Sequence, residues 1–201
     1  MTATRRIGLL GGSFDPIHIG HLIMAESARE QNKLELVIFA PAGNPPHKSS
    51  RRLVPIKDRI AMIELAIASH ADFLCSRIDA EPSEPSYTWR LLERVHEEFP
   101  DSDISFIMGG DSLREFGSWA RPERILELAS MAVIDRPGSE VDQSVRDAVP
   151  GLAEATTPVD APMCSISSTE IRERVEERRS IRFLVPEPVR EYIERRGLYR
   201  Q

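Results

Sequence analysis

The feature that most narrows the fold is a recurring unit, in which a short apolar run ends in glycine, proline or a polar residue and a segment of helical periodicity follows. IGLL (7–10) leads to LIMAESAREQN (22–32), ELVIFAP (35–41) to PIKDRIAMIELAIAS (55–69), and DISFIMGGD (103–111) to RPERILELAS (121–130). DFLCSRID (72–79), SYTWRLLERVHEEF (86–99) and MAVIDRPG (131–138) continue the alternation. Within the second helical segment Ile56, Ile60, Ile63 and Ile67 recur at helical spacing, and Pro55 suits a first turn. Strand, helix, strand repeated in this way predicts an α/β fold with a doubly wound parallel sheet, helices lying on both faces. The unbroken β-rich character of ELVIFAP fits a strand covered on both sides.

A chain of 201 residues suits one domain over 1–201, long enough to bury about 70% of the surface its unfolded form exposes. No internal repeat or low-complexity tract divides it. Beyond Asp135 the alternation weakens: EVDQSVRDAV reads as a short helix and PGLAEATTPVDAP (150–162) as a loop. Order returns in ISSTEIRERVEE (166–177), where Ser167 and Glu170 form a capping-box pattern, and in PEPVREYIERRGLY (186–199), with a proline start and a Gly197 stop. A small helical C-terminal segment, about 163–201, is therefore expected.

With 32 acidic against 26 basic residues the chain lacks a general electrostatic grip on nucleic acid, so a phosphate must be held by a local basic cluster. Cys75 and Cys164 form no CxxC or His-Cys spacing, which suits a reducing compartment. The apolar run after MTATRR is too short for a signal peptide, and no stretch approaches the about 18 apolar residues of a membrane helix. A cytoplasmic protein without a membrane partner is expected, and assembly as a homo-oligomer is left open.

In a doubly wound sheet the ligand crevice lies beyond the carboxyl ends of the strands, where GGSFDPIH, APAGNPPHK, GGDSL and DRPG fall. In GGSFDPIHIGHL (11–22) the glycines are expected to turn the backbone sharply and let it lie close to a ligand. Pro16 fixes the turn, and the helix opening near Ile19 to His21 presents N–H groups that favour an anion. His18 and His21, three apart, share one side of that turn. There is no GxGxxG, P-loop or HExxH pattern. The residues alone leave three readings: a phosphate clamp, ordinary loop and helix-start histidines, and, more weakly, a metal pair.

GGSFDPIHIGHL resembles the G-G-[TS]-F-D-P-x-H-x-G-H signature of the nucleotidylyltransferase superfamily, whose fold is Rossmann-like. PPHK (45–48), SYT (86–88), GGDSLREFGSW (109–119), DRPG (135–138), ISSTEIRER (166–174), SIRFLVPEPVREYI (180–193) and GLYR (197–200) extend the resemblance, in order, to the bacterial nicotinate mononucleotide adenylyltransferases. It implies that the phosphate of nicotinate mononucleotide attacks the α-phosphorus of ATP, that pyrophosphate leaves with Mg²⁺, and that deamido-NAD forms. Such a transfer needs positioning and charge stabilisation rather than a protein nucleophile.

The resemblance implies ATP binding by Gly11, Gly12, Ser13, Phe14, His18, His21, Gly109, Asp111, Ser168, Thr169 and Arg172, with His18, His21 and Arg172 catalytic. It implies nicotinate mononucleotide binding by His47, Lys48, Thr88, Trp119 and Arg136, Trp119 stacking on the pyridine ring. No protein side chain is assigned to the metal. Asp111 has two readings, a ribose ligand or a helix cap for SLREF. The family continues S-Y-T with x-x-T-L; here Leu91 replaces the second threonine. Rival readings keep the chemistry with another acceptor, phosphopantetheine or flavin mononucleotide, or keep the fold as a non-catalytic nucleotide-binding module.

Overall fold

Alternate residues of the central strands enter two separate cores, as a sheet covered on both faces requires. Ile7 and Leu9, Leu36, Ile38 and Ala40, and Ile104, Phe106 and Met108 pack into one; Leu10, Val37, Phe39 and Ile107 pack into the other. The computed structural model describes residues 4–46, 53–81, 83–134, 145, 149–162 and 164–200. Its strands are β1 (Arg5–Gly12), β2 (Leu36–Pro41), β3 (Phe73–Cys75), β4 (Ser102–Gly109), β5 (Ser130–Ile134) and β6 (Thr156–Val159). They form one parallel sheet in the order β3-β2-β1-β4-β5-β6.

The helices are α1 (Ile19–Gln31), α2 (Ile56–Ile67), α3 (Thr88–Glu98), α4 (Gly110–Arg114), α5 (Pro122–Leu128), α6 (Leu152–Ala155), α7 (Ser168–Glu176) and α8 (Glu187–Arg196), with a 3₁₀ turn at Phe116–Ser118. None of those described is long and apolar enough to cross a membrane.

Two expectations need correction. The stretch 150–162 is not a loop: it holds α6 and the edge strand β6. With only TTPV to show, β6 lacks an apolar run, and its Pro158 is tolerated because an edge strand has just one neighbour. DFLCSRID yields only the three residues of β3, since the chain then turns back with the Ala80 N–H on the Arg77 carbonyl at 3.0 Å. The expected helix in EVDQSVRDAV lies outside the described residues apart from Val145 and Val149.

The C-terminal segment is part of the core rather than an appendage. Ile171, Val175, Val189 and Ile193 pack with Val37, Phe39 and Ile107, each such burial being worth about 1.5–3 kcal/mol. Buried Asp58 of α2 docks α8, accepting from the Tyr192 hydroxyl at 2.8 Å and from Arg196 Nε and Nη2 at 3.2 and 3.1 Å. Gly197, at φ 61, then ends α8 in the left-handed conformation.

Candidate active cleft

From β1 the chain runs outward through β2 and β3, then returns to place β4 on the other side of β1. This is the topological switch point at which open α/β sheets bind ligands. A cleft of about 600 Å³ opens there, a size suited to a nucleotide-sized ligand. Its wall includes Gly11, Gly12 and Ser13 after β1, Gly109 and Asp111 after β4, and His18 and His21 at the start of α1. Thr88, Trp119 and the first turn of α7, with Ser168, Thr169 and Arg172, complete it.

The helix start fixes the two histidines. His18 is the N-cap of α1, and its backbone N–H donates to His21 Nδ1 at 3.2 Å, which leaves the His21 ring proton on Nε2. The two rings stack with centroids 3.7 Å apart and planes 27° apart. His18 is 7% exposed, and burial pulls its imidazole down to about 4, so near neutral pH it acts as an uncharged hydrogen-bonding group. Its Nδ1 is buried and has no hydrogen-bond partner among the described residues. A Cβ at Gly20 would lie 3.0 Å from that nitrogen, a tight approach that would press the ring to shift by a few tenths of an ångström. Among the described residues no group of three or more His, Cys, Asp or Glu comes together to hold a metal ion.

Phe14 does not stand in the cleft wall. Its ring is 1% exposed and meets His21 edge-on at 5.0 Å, so the ring supports that histidine from the core. Nor do the glycines turn the chain as expected: Gly11 and Gly12 are the last residues of β1, and the left-handed residue is Phe14 at φ 46. A Cβ on Gly11 would meet Leu91 and Phe106 at 3.5 Å, and one on Gly12 the Phe14 ring at 3.5 Å. Both are ordinary contacts, so internal packing does not demand glycine at either position.

The start of α7 is fastened to the turn after β1. Ser167 caps it, accepting from the Glu170 N–H at 3.1 Å, while the Glu170 carboxylate takes Arg174 Nε at 3.0 Å in place of closing the box. The Ser168 hydroxyl donates to the Pro16 carbonyl at 2.9 Å. Arg172, 8% exposed, donates from Nη1 to the Asp15 carbonyl at 2.5 Å and from Nη2 to Thr169 Oγ1 at 2.8 Å. Two helix N-termini thus converge on one end of the cleft with a guanidinium between them, an arrangement suited to anionic oxygens.

Sequence reasoning missed Arg59, which holds the exits of β1 and β2 together. It is 1% exposed and donates from Nη1 to the carbonyls of Ser13 and Ala42 at 2.7 and 2.8 Å and from Nε to that of Val54 at 3.2 Å. The available signal was faint: Arg59 directly precedes Ile60 in the apolar Ile56, Ile60, Ile63, Ile67 series, within the charged run Lys57, Asp58, Arg59.

Toward the other end of the cleft, Thr88 opens α3 and half-buried Trp119 follows the 3₁₀ turn, edge-on to Phe106 at 6.0 Å and 89°. Asp111 is not a helix cap: Gly109 is the N-cap of α4, and Asp111 pairs with Arg114 at 2.6 Å. Leu91 packs into the core beneath the cleft at 4% exposure. His47, Lys48 and Arg136 lie outside the described residues.

Asp79, also missed, is a wall residue 7% exposed. Burial raises its carboxyl to about 6, opposed by a hydrogen bond from Ser86 and by the charges of Arg94 and Arg90. Ser86 in turn straps the loop after β2, exchanging bonds of 2.9 and 3.1 Å with Asn44. Because the folded state holds the Asp79 proton after the unfolded chain has released it, stability falls as pH rises from about 4 to about 6. The roughly two-unit displacement corresponds to at most about 3 kcal/mol. Asp79→Asn is expected to lack this loss, so thermal melts of the two proteins should diverge in the variant's favour across that window. Parallel curves would show that the carboxyl is not perturbed.

The chain matches the cytidylyltransferase-like family over residues 9–174. It is 45% identical over 196 residues to the probable nicotinate-nucleotide adenylyltransferase of Thermomicrobium roseum, covering 97% of this chain and 92% of that protein. The probable nicotinate-nucleotide adenylyltransferase of Desulfitobacterium hafniense (strain Y51) is 42% identical over 200 residues, covering 98% and 96% respectively. In fold the chain is similar to the solved Plasmodium falciparum nicotinic acid mononucleotide adenylyltransferase complexed with NaAD, with a TM-score of 0.81 at 21% identity over 97% of each chain.

Proposed function

The chain belongs to the cytidylyltransferase-like family and, within it, to the nicotinate-nucleotide adenylyltransferases; from that membership we infer that its cleft transfers the adenylyl group of MgATP to nicotinate mononucleotide. The products are deamido-NAD and pyrophosphate, a step of NAD biosynthesis. The observation that carries the reading is the convergence of the α1 and α7 N-termini, His18, His21 and Arg172 on one end of a cleft at the sheet's switch point.

In this reading an oxygen of the nicotinate mononucleotide phosphate attacks the α-phosphorus. The bond from that phosphorus to the bridging oxygen breaks, and the electron pair leaves with pyrophosphate. The triphosphate lies over Gly11 to Ser13, His21 offers its Nε2–H, and Arg172 offers its guanidinium to the charge that grows on the phosphoryl oxygens. Buried and uncharged, His18 adds a fixed dipole without repelling a cationic neighbour. Mg²⁺ comes as part of the ATP substrate and spreads the charge of the leaving pyrophosphate. Asp111 accepts from ribose hydroxyls, Thr88 and Trp119 bound the pyridine ring, and His47, Lys48 and Arg136 serve the nicotinate mononucleotide side.

Pyrophosphate release from MgATP, run in parallel with nicotinate mononucleotide, nicotinamide mononucleotide and phosphopantetheine, tests the assignment. Rapid release with the first alone is expected. Release with another acceptor overturns the pocket assignment, and silence with all three from folded, ATP-binding protein favours a non-catalytic module. In the same assay Trp119→Ala should raise KM for nicotinate mononucleotide about tenfold, the scale of base–aromatic stacking, with a smaller change in kcat. An unaltered KM would remove the stacking role.

A further inference from the structure

The carboxylate of Asp15 sits where three distant parts of the chain meet. It is 2% exposed, and its Oδ1 accepts from the Tyr199 hydroxyl at 2.8 Å, a contact spanning 184 residues. Its Oδ2 lies 3.9 Å from Arg172 Nη1, and its backbone carbonyl accepts from the same nitrogen. Arg59, also buried, contributes a second favourable charge to the same carboxylate. Two guanidiniums therefore lend favourable charge to one buried carboxylate.

Tyr199 completes this arrangement without adding a charge. Burial, and then the neighbouring Asp15 charge, holds its phenol far above the ordinary range, so the hydroxyl remains a donor. Its backbone adopts φ 61, a left-handed conformation that a bulky residue takes only when its surroundings enforce it.

We propose that Tyr199 is a positioning residue for adenylyl transfer: its hydroxyl fixes the Asp15 carboxylate, and Asp15 fixes the direction in which Arg172 presents its guanidinium to the ATP phosphates. Without the hydroxyl, Oδ1 keeps among the described residues only the Val54 N–H at 3.5 Å, too long to orient it. The carboxylate then turns toward Arg172 and draws the guanidinium away from the cleft.

The role rests on reading the cleft as an adenylyl-transfer site, and the test separates the two. Tyr199→Phe, Arg172→Lys and the double variant are compared with the parent by kcat/KM for ATP, by KM for nicotinate mononucleotide and by calorimetric ATP affinity without acceptor, all well below each protein's melting temperature. Tyr199→Phe is expected to lower kcat/KM for ATP about tenfold and to weaken ATP binding severalfold, with KM for nicotinate mononucleotide unchanged. Added to Arg172→Lys it should change these values less than twofold, because its effect passes through Arg172. An equal tenfold loss on both backgrounds, or parental values for Tyr199→Phe, overturns the proposal. A parent that binds ATP but turns over no acceptor overturns the functional reading instead, and ATP affinity then still decides the role of Tyr199.

Discussion

His21→Ala is expected to lower kcat about 10²- to 10³-fold, a loss of about 3–4 kcal/mol of transition-state stabilisation, while the melting temperature moves by only a few degrees. The asymmetry follows from where the ring's two nitrogens are used. Nδ1 accepts the His18 N–H at the helix start, a neutral bond worth about 1 kcal/mol. Nε2–H is a donor held at a set angle by the stack on His18 and the edge contact with Phe14. A donor that does not reorganise during the reaction is where enzymes gain most from one group. Steady-state kinetics and a thermal melt on the same preparation check this. A fall of more than about 10 °C with near-parental kcat in the folded fraction would make His21 a structural residue.

Arg59→Met should have the largest effect on stability, about 3–5 kcal/mol, or roughly 6–20 °C for a chain of this size. Methionine retains an apolar stem, so cavity formation is not the main cost. What is lost is the pair of donations to the carbonyls of Ser13 and Ala42, and the charge facing buried Asp15. Denaturant unfolding should show a lower midpoint with an unchanged slope. A loss below about 1 kcal/mol would mean that water replaces the guanidinium at those carbonyls.

The cleft's outline was legible in the sequence because strand ends are legible. Apolar runs at β1, β2, β4 and β5 stop where polar turns begin, and a parallel sheet places such stops along one edge. Gly11, His18, His21, Gly109, Thr88, Ser168 and Arg172 all come together there. The supporting residues left no comparable trace. Arg59 bonds backbone carbonyls 46 and 17 residues away, and Tyr199 bonds a carboxylate across almost the whole chain. No local pattern encodes such partners. The edge strand β6 escaped for another reason: four residues, two of them threonine and one proline, provide too little burial to register as an apolar run. The sharp turn assigned to Gly11 and Gly12 was displaced because β1 continues through both glycines, and the reversal falls on Phe14.

The fastening of α7 to the Asp15–Pro16 turn gives the chain a timetable on the ribosome. One face of the sheet is closed by α3, α5 and α6, all made before α7, but the other, covered in part by α1 and α2, still awaits Ile171, Val175, Val189 and Ile193. Until these leave the exit tunnel, the nascent chain presents part of an apolar sheet face to solvent, the kind of surface chaperones recognise. Arg172 and Tyr199 arrive in that same last stretch. The newly made protein therefore gains its anion-facing end only as synthesis finishes, so a chain stalled before α7 carries all six described strands but no finished cleft.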